Sequence, residues 1–335
     1  MDKIGKYQII KKLGEGATSV VWLGHDPFAD RDVAIKVVAS SVFSGGEHGK
    51  IARNLFVTEA SLAGKLVHPH IVQIYDAVAD ADPSYIVMEY VAGGTLEPYC
   101  TPDRLLPMID LVEMIFKCTR ALDFAYRRGV IHRDLKPANI LRAGSSGSDV
   151  KISDFGAALS ASSDQTAVAG IGSPAYMSPQ QVKDHPLNHQ SDIFSLGVVM
   201  YQLLTGQLPF QGSNNISIIY QITNVEPPPP SALRKGIPPA VDAIVMRAMK
   251  KSLEERYPTW DAFSFDLAET FRNEHLEEAR ERIADTEKFN TLRGLAFFRD
   301  FSDVQLWELL GFSDWQRVKP GTLLMHEGQP GDNFC

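Results

Sequence analysis

Apolar positions fall into two regimes along this chain. From residue 7 to about 90 they come in short β-branched runs, "VVWLG", "DVAIKVVA" and "SYIVMEYV", separated by Gly, Asp and Pro, which predicts strands. One helical interval, residues 54–66, interrupts them. After Gly94 the apolar residues recur at three- and four-residue spacing, over 111–128 and 191–205, and longer helices are predicted. The expected architecture is α+β: a small β-rich lobe over about 7–88, then a larger helical lobe over about 89–271.

The proline-rich "NVEPPPPSALRKGIPP" reads as a loop inside the helical half, because helical patterns resume on both sides and proline blocks a helix without requiring a domain boundary. Residues 259–288 read as helix in one or two pieces, ending in the charged "EHLEEARERIADTEK". There Leu276, Ala279 and Ile283 make one apolar stripe and Glu278 precedes Arg282 at i,i+4, the pattern of a connecting helix over 272–290. Residues 291–335 regain aromatics and turn signals, as at the start of another domain, and no internal repeat is present.

Composition narrows the function. The 335 residues are 44% hydrophobic and 22% charged, enough for a sizeable core. Lys and Arg number 33 against 41 acids, a net charge of −8, so a nucleic-acid or anionic-membrane partner is not expected. Three scattered cysteines, Cys100, Cys118 and Cys335, make neither a disulfide framework nor a zinc site and fit a reducing, cytoplasmic setting. The amino terminus lacks a signal-peptide core, and the longest apolar-leaning run, 193–204, is too short to span a bilayer.

The chemistry is concentrated in three places. Between two strand patterns lies "LGEGATSVV", in which Gly14 and Gly16 let the backbone approach a polyphosphate, although glycines between strands also make simple hairpins. On the next strand "VAIK" sets Lys36 among apolar neighbours, and Glu59 on the following helix is the acid best placed to hold it. "VIHRDLKPANIL" then packs five polar residues between apolar ends, and buried polarity needs partners. With "DFG" at 154–156, the segment supplies separate roles for phosphoryl transfer: Asp134 for the substrate hydroxyl, Lys136 for the γ-phosphoryl charge, Asn139 and Asp154 for magnesium.

With these motifs in this order, residues 7–271, about four-fifths of the chain, resemble a protein kinase domain of the bacterial eukaryotic-like Ser/Thr type. The resemblance implies a two-lobed fold with ATP under the glycine loop, its base between Val21 and Ala34 above and Leu141 below. It implies further contacts from Leu13 and from Met88, Glu89 and Val91 in "MEYV", and a catalytic set of Lys36, Glu59, Asp134, Lys136, Asn139 and Asp154. "DLKPAN" and Ser173 are similar to the Ser/Thr rather than the tyrosine kinases, so protein Ser/Thr hydroxyls are the implied acceptors. Asp192 falls where the family braces the catalytic loop, and it also reads as a helix-start acid. A nucleotide-binding scaffold and a small-molecule phosphotransferase are the rival readings. Lys36, Asp134, Asn139 and Asp154, all present, disfavour the first and "GSPAYMSPQ" the second.

Two positions depart from the family pattern. Ser19 replaces a third glycine, and "SPQ" at 178–180 replaces "APE", so that Gln180 stands where a glutamate pairs with the arginine matched by Arg256. A less stable large lobe is expected. Arg133 implies activation by autophosphorylation at Ser160, Ser162, Ser163 or Thr166, with Thr166 the nearest to the implied place. The residues 291–335 resemble the opening of a cyclic-nucleotide-binding domain, through Pro320, Gly321, Glu327, Gly328, Gly331, Asp332 and Phe334, a truncated β-roll. A cyclic nucleotide is implied only for a longer chain that completes it.

Overall fold

In the computed structural model the described residues are 2–16, 19–39, 46–143, 147–155, 159–160, 174–272, 283–318 and 322. The β-rich half is one antiparallel sheet: β1 (Lys3–Ile4), β2 (Tyr7–Glu15), β3 (Ser19–Asp26), β4 (Arg31–Val38), β5 (Ile74–Val78) and β6 (Ser84–Glu89), in the order β1-β2-β3-β4-β6-β5. Alternation sorts its faces, as a two-residue side-chain period must. Val33 and Ile35 are fully buried with Ile4, Tyr7, Tyr85 and Val87, whereas Ala34 and Lys36 point to the opposite face.

The helix between β4 and β5, α1, spans Gly46–Ala63, not 54–66. Its glycine-bearing, polar opening "GEHGK" hid the first turns from a reading by apolar spacing.

The helical lobe is built on α2 (Met108–Tyr126) and α4 (His189–Thr205). In α4 every residue from Ile193 to Thr205 except Gln202 is buried, the signature of a helix enclosed on all sides. Asn188 caps its start by accepting from the Gln190 N–H at 2.9 Å, and Gly206, at φ 73°, closes its end in the left-handed conformation that glycine adopts without strain. Between α2 and α4 lie β7 (Val130–Ile131), β8 (Ile140–Arg142), β9 (Val150–Ile152), β10 (Leu159–Ser160) and the short α3 (Pro179–Val182). Then follow α5 (Asn215–Asn224), α6 (Pro239–Ala248) and α7 (Trp260–Arg272), with the proline-rich stretch forming the loop between α5 and α6.

The predicted helix over 259–288 resolves into two: α7 is described as far as Arg272, Ile283 and Ala284 are non-helical, and α8 runs Asp285–Gly294. With α9 (Asp303–Phe312), α8 does more than connect. Ala284, Phe289, Leu292, Phe298, Leu306 and Trp307 are buried in the same core as α2 and α4, so the boundary drawn at 290/291 coincides with no break in packing. Charges reinforce the docking. Lys117 of α2, with no exposed side-chain surface, meets Asp285 at 2.8 Å, Asp149 at 2.6 Å and Glu113 at 3.6 Å, while Arg120 binds Asp261 and Asp303. At the far side the Trp307 ring stands edge-on to His70, 4.6 Å between centroids, in the loop joining α1 to β5. The stripe at Leu276 and Ala279 and the β-roll positions 320–334 named above lie outside the described residues. No helix among the described residues is long and apolar enough to cross a membrane, and Cys100 and Cys118 are free thiols.

Candidate active site

The sheet register places the small-lobe residues on one surface. Directly opposed residues of antiparallel strands share a face. Val21 opposes Lys36, Lys36 opposes Ile86 and Ala34 opposes Met88, so Val21, Ala34, Lys36 and Met88 line one side of the sheet. Leu13 is 40% exposed near the end of β2, and Gly14 and Gly16 follow it at the β2–β3 turn, closed by the Gly16 N–H donating to the Ser19 carbonyl at 2.8 Å. Among the described residues nothing lies within 4 Å of the position of a Cβ on Gly14, which leaves room beside the backbone there.

The chain leaves the sheet at Glu89. Its carboxylate takes Lys151 at 2.9 Å and its N–H donates to the Gln73 carbonyl at 2.8 Å, so that N–H is not free for a nucleotide. Val91 is half-buried just beyond, and Leu141 lies on β8, bridged to Thr95.

Below the sheet, a polar loop follows β7. Asp192 of α4 is the reason it can exist. Its two carboxylate oxygens accept the backbone N–H groups of His132 at 2.7 Å and Arg133 at 2.8 Å. Burial pushes the Asp192 carboxyl up, and His132 with those two N–H donors pulls the other way. The sequence reading of Asp192 as a brace is therefore matched atom by atom. His132 carries the connection onward: its ring meets the Ser153 carbonyl at 3.0 Å and lies 4.6 Å from the Phe155 ring.

Around Asp134 the side chains converge. Lys136 Nζ donates to Asp134 Oδ2 at 2.7 Å, and Asn139 Nδ2 donates to the Asp134 carbonyl at 2.8 Å and to Oδ2 at 3.3 Å. Pro137 starts a 3-10 turn over Pro137–Asn139 that presents Asn139, and the Ser153 N–H donates to the Asn139 carbonyl at 2.9 Å, which seats Asp154 next to it. Lys36 Nζ, 118 residues from Asp154 in sequence, donates to Asp154 Oδ1 at 2.5 Å. The strand lysine thus pairs with the second residue after β9, which directly follows the residue bonded to the Asn139 carbonyl.

The donor set suits magnesium: one carboxylate from Asp154 and one amide oxygen from Asn139, whose nitrogen is already committed to Asp134. Glu59 falls within α1, but its side-chain placement lies outside the described part of the structure, as do Gly156, Ser162, Ser163, Thr166 and Ser173 and the side chain of Ser160.

Gln180 keeps the contact expected of a glutamate. Its Oε1 accepts from Arg256 Nη2 at 3.1 Å and its Nε2 donates to the Lys251 carbonyl at 3.3 Å. Sequence reasoning missed its neighbour. Gln181 donates to the Arg133 carbonyl at 2.7 Å, and no motif in the sequence signals that bond.

A β-rich lobe and a helical lobe, a strand lysine bound to a distant aspartate and a braced aspartate–lysine–asparagine loop are the parts that a kinase fold would bring together. The family model for the protein kinase domain matches residues 7–264, and the chain belongs to the protein kinase family. It is 38% identical over 275 residues to the serine/threonine-protein kinase PknB of Mycobacterium leprae, covering 78% of this chain and 42% of the relative. To PknB of Mycobacterium tuberculosis it is 35% identical over 304 residues, covering 87% of this chain and 47% of that one. PrkC of Bacillus subtilis, also a serine/threonine-protein kinase, is 34% identical over 286 residues, 85% of this chain and 43% of its own. The chain spans less than half the length of these curated relatives.

Proposed function

We propose that the protein transfers the γ-phosphoryl group of MgATP to serine and threonine hydroxyls of protein substrates. The observation that carries the reading is the Lys36–Asp154 pair at 2.5 Å beside the Asp134–Lys136–Asn139 cluster. Lys36 would hold phosphate oxygens, and Asn139 and Asp154 would hold the metal. Magnesium, when bound, offsets negative charge on the phosphates. Asp134 orients the acceptor hydroxyl and takes up its proton, and Lys136, already on Asp134, supplies positive charge where the phosphoryl group passes. Val21, Ala34 and Met88 offer an apolar face for the base.

The acceptor class is supported by "DLKPAN" and by the serine/threonine kinases the chain resembles. For regulation the proposal is autophosphorylation at Thr166, with Arg133 as counter-cation. Arg133 Nε is buried without a hydrogen-bond partner among the described residues, and burial lowers the pKa of the guanidinium, so a phosphate would supply a missing partner. A sensor role for residues 291–335 rests on the sequence resemblance alone, and no ligand is assigned to them.

Radiolabelled ATP with a generic basic protein tests the reading. The wild type should label it, and Asp154→Ala should lower the rate by about 10²–10³-fold, the scale for loss of one group that stabilises transition-state charge. Folded wild type that transfers no label would refute the assignment. Mass spectrometry after incubation with MgATP should find phosphate within 156–173, and an unmodified segment in an active preparation would remove the regulatory part.

A further inference from the structure

We infer that Gln181 is a positioning residue for phosphoryl transfer, acting through the peptide unit that carries Asp134. The inference rests on the kinase reading above and extends it to a residue outside the cleft. Arg133, directly before Asp134, sits at φ 69°, a conformation that a side-chain-bearing residue keeps only when its surroundings hold it there. Three groups hold this turn. Asp192 takes the N–H groups on its amino side, at 2.7 and 2.8 Å. On its carboxyl side, the oxygen of the 133–134 peptide accepts from Gln181 Nε2 at 2.7 Å, while the nitrogen of that peptide donates to His132 Nδ1 at 3.3 Å. Rotation about Arg133 ψ would swing Asp134, and the bond from Gln181 opposes it.

Helix capping explains only half of what Gln181 does. Its Oε1 accepts from the Ser178 N–H at 2.9 Å and its own N–H donates to Ser178 Oγ at 3.2 Å, the reciprocal box that starts α3. A glutamate at 181 would satisfy that box as well. The cap makes no use of the amide nitrogen, and that nitrogen reaches a carbonyl 48 residues away. Gln181 is 5% exposed and Ser178 is fully buried, so the pair is sealed from competing water. The segment it belongs to is itself anchored: the Tyr176 hydroxyl donates to Gln202 Oε1 at 2.6 Å and Ser195 Oγ donates to the Tyr176 carbonyl at 2.8 Å, both on α4. Through Gln181, the order of the stretch after residue 173 reaches the catalytic loop.

The test compares Gln181→Glu, which keeps the cap acceptor and deletes the donor, with Gln181→Met, which deletes both, and with Ser178→Ala, which weakens the cap and keeps the bond to Arg133. Each is assayed as the full chain, with kcat normalised to the folded fraction. Both Gln181 variants should lose about 10–100-fold in kcat, the scale for a catalytic group displaced by a fraction of an ångström to 1 Å, with KM for ATP within about twofold of wild type. Ser178→Ala should lower Tm while leaving kcat within about twofold. The inference is overturned if Gln181→Glu turns over like wild type, if KM for ATP rises in step with the loss of kcat, or if Ser178→Ala loses as much kcat as the Gln181 variants. Wild-type turnover in the same assay tests the kinase reading. Its absence removes both claims, whereas an active wild type with equally active variants removes only this one.

Discussion

Two arginines are buried in the large lobe, and their surroundings are opposite in kind. Arg256, 1% exposed, gives its protons to neutral acceptors: the carbonyls of Lys250 at 2.9 Å, Gln190 at 2.7 Å and Lys251 at 3.3 Å, and the amide oxygen of Gln180. Arg120, 7% exposed, faces carboxylates: Asp261 at 2.5 Å, Asp303 closer still, and Asp123 at 3.9 Å. Hydrogen bonding is met at both places, charge only at the second. Burial accordingly pushes the Arg256 guanidinium down to about 10. A neutral set can seat a cation inside a single junction, whereas the charged set ties together three elements, α2, α7 and α9, that also share one apolar core.

The hardest blow to this contrast should be Arg120→Met. Removing one partner of a buried ion pair costs about 3–5 kcal/mol, and because Asp261 is 58% exposed and can rehydrate, a loss near the lower end, about 3 kcal/mol, is expected in urea unfolding. A loss below about 1 kcal/mol would mean that the carboxylates are not a clamp.

Acid should loosen the same junction next. Burial, the largest cause, lowers the pKa of His70 to about 3 and of His68 to about 2. Both values lie below that of an unfolded imidazole, so on acidification the unfolded chain takes up protons that the folded chain refuses, and stability falls as pH drops below about 6.5. From pH 7 to 5.5 about 2 kcal/mol should be lost, followed by chemical denaturation at each pH. A flat profile over that interval would show the rings to be solvated. The Asp285 carboxyl, held down to about 2 mainly by Lys117 against the cost of its burial, adds a second loss as pH falls from about 4 towards 2.

The smallest effect belongs to the neutral site. Gln180→Glu gives Arg256 a carboxylate, and since charge-assisted hydrogen bonds are about twice as strong as neutral ones, a gain of about 1 kcal/mol, or about 2–4 °C in Tm, is expected by calorimetry. No gain would mean that the amide already meets the need of the guanidinium.

The candidate site was readable in the chain because each proposed role falls to a residue type that short-range pattern makes conspicuous. An aspartate, lysine and asparagine between Ile131 and Ile140 need polar partners, and Lys36 among apolar strand neighbours suits an acid partner. The structure pairs Lys36 with Asp154, and Asp134 with Lys136 and Asn139. What pattern could not reveal is polarity that is buried by distant partners. Glu113, Lys117, Arg120 and Asp123 mark the wet face of an amphipathic helix when α2 is read alone, yet all four are buried under α7, α8 and α9. Gln181 is hidden for the same reason, its partner being a backbone atom remote in sequence.

The contact between Trp307 and His70 bears on where the chain can be cut for the bench. Trimmed after Arg272, the chain would retain every group of the candidate site and yet bare the seats of Phe289 and Trp307 on Phe116 to water, with Lys117 stripped of Asp285. Such a preparation is expected to be sticky and easily unfolded, and sluggish turnover in it would reflect a missing buttress behind the α1–β5 loop rather than a defect in chemistry.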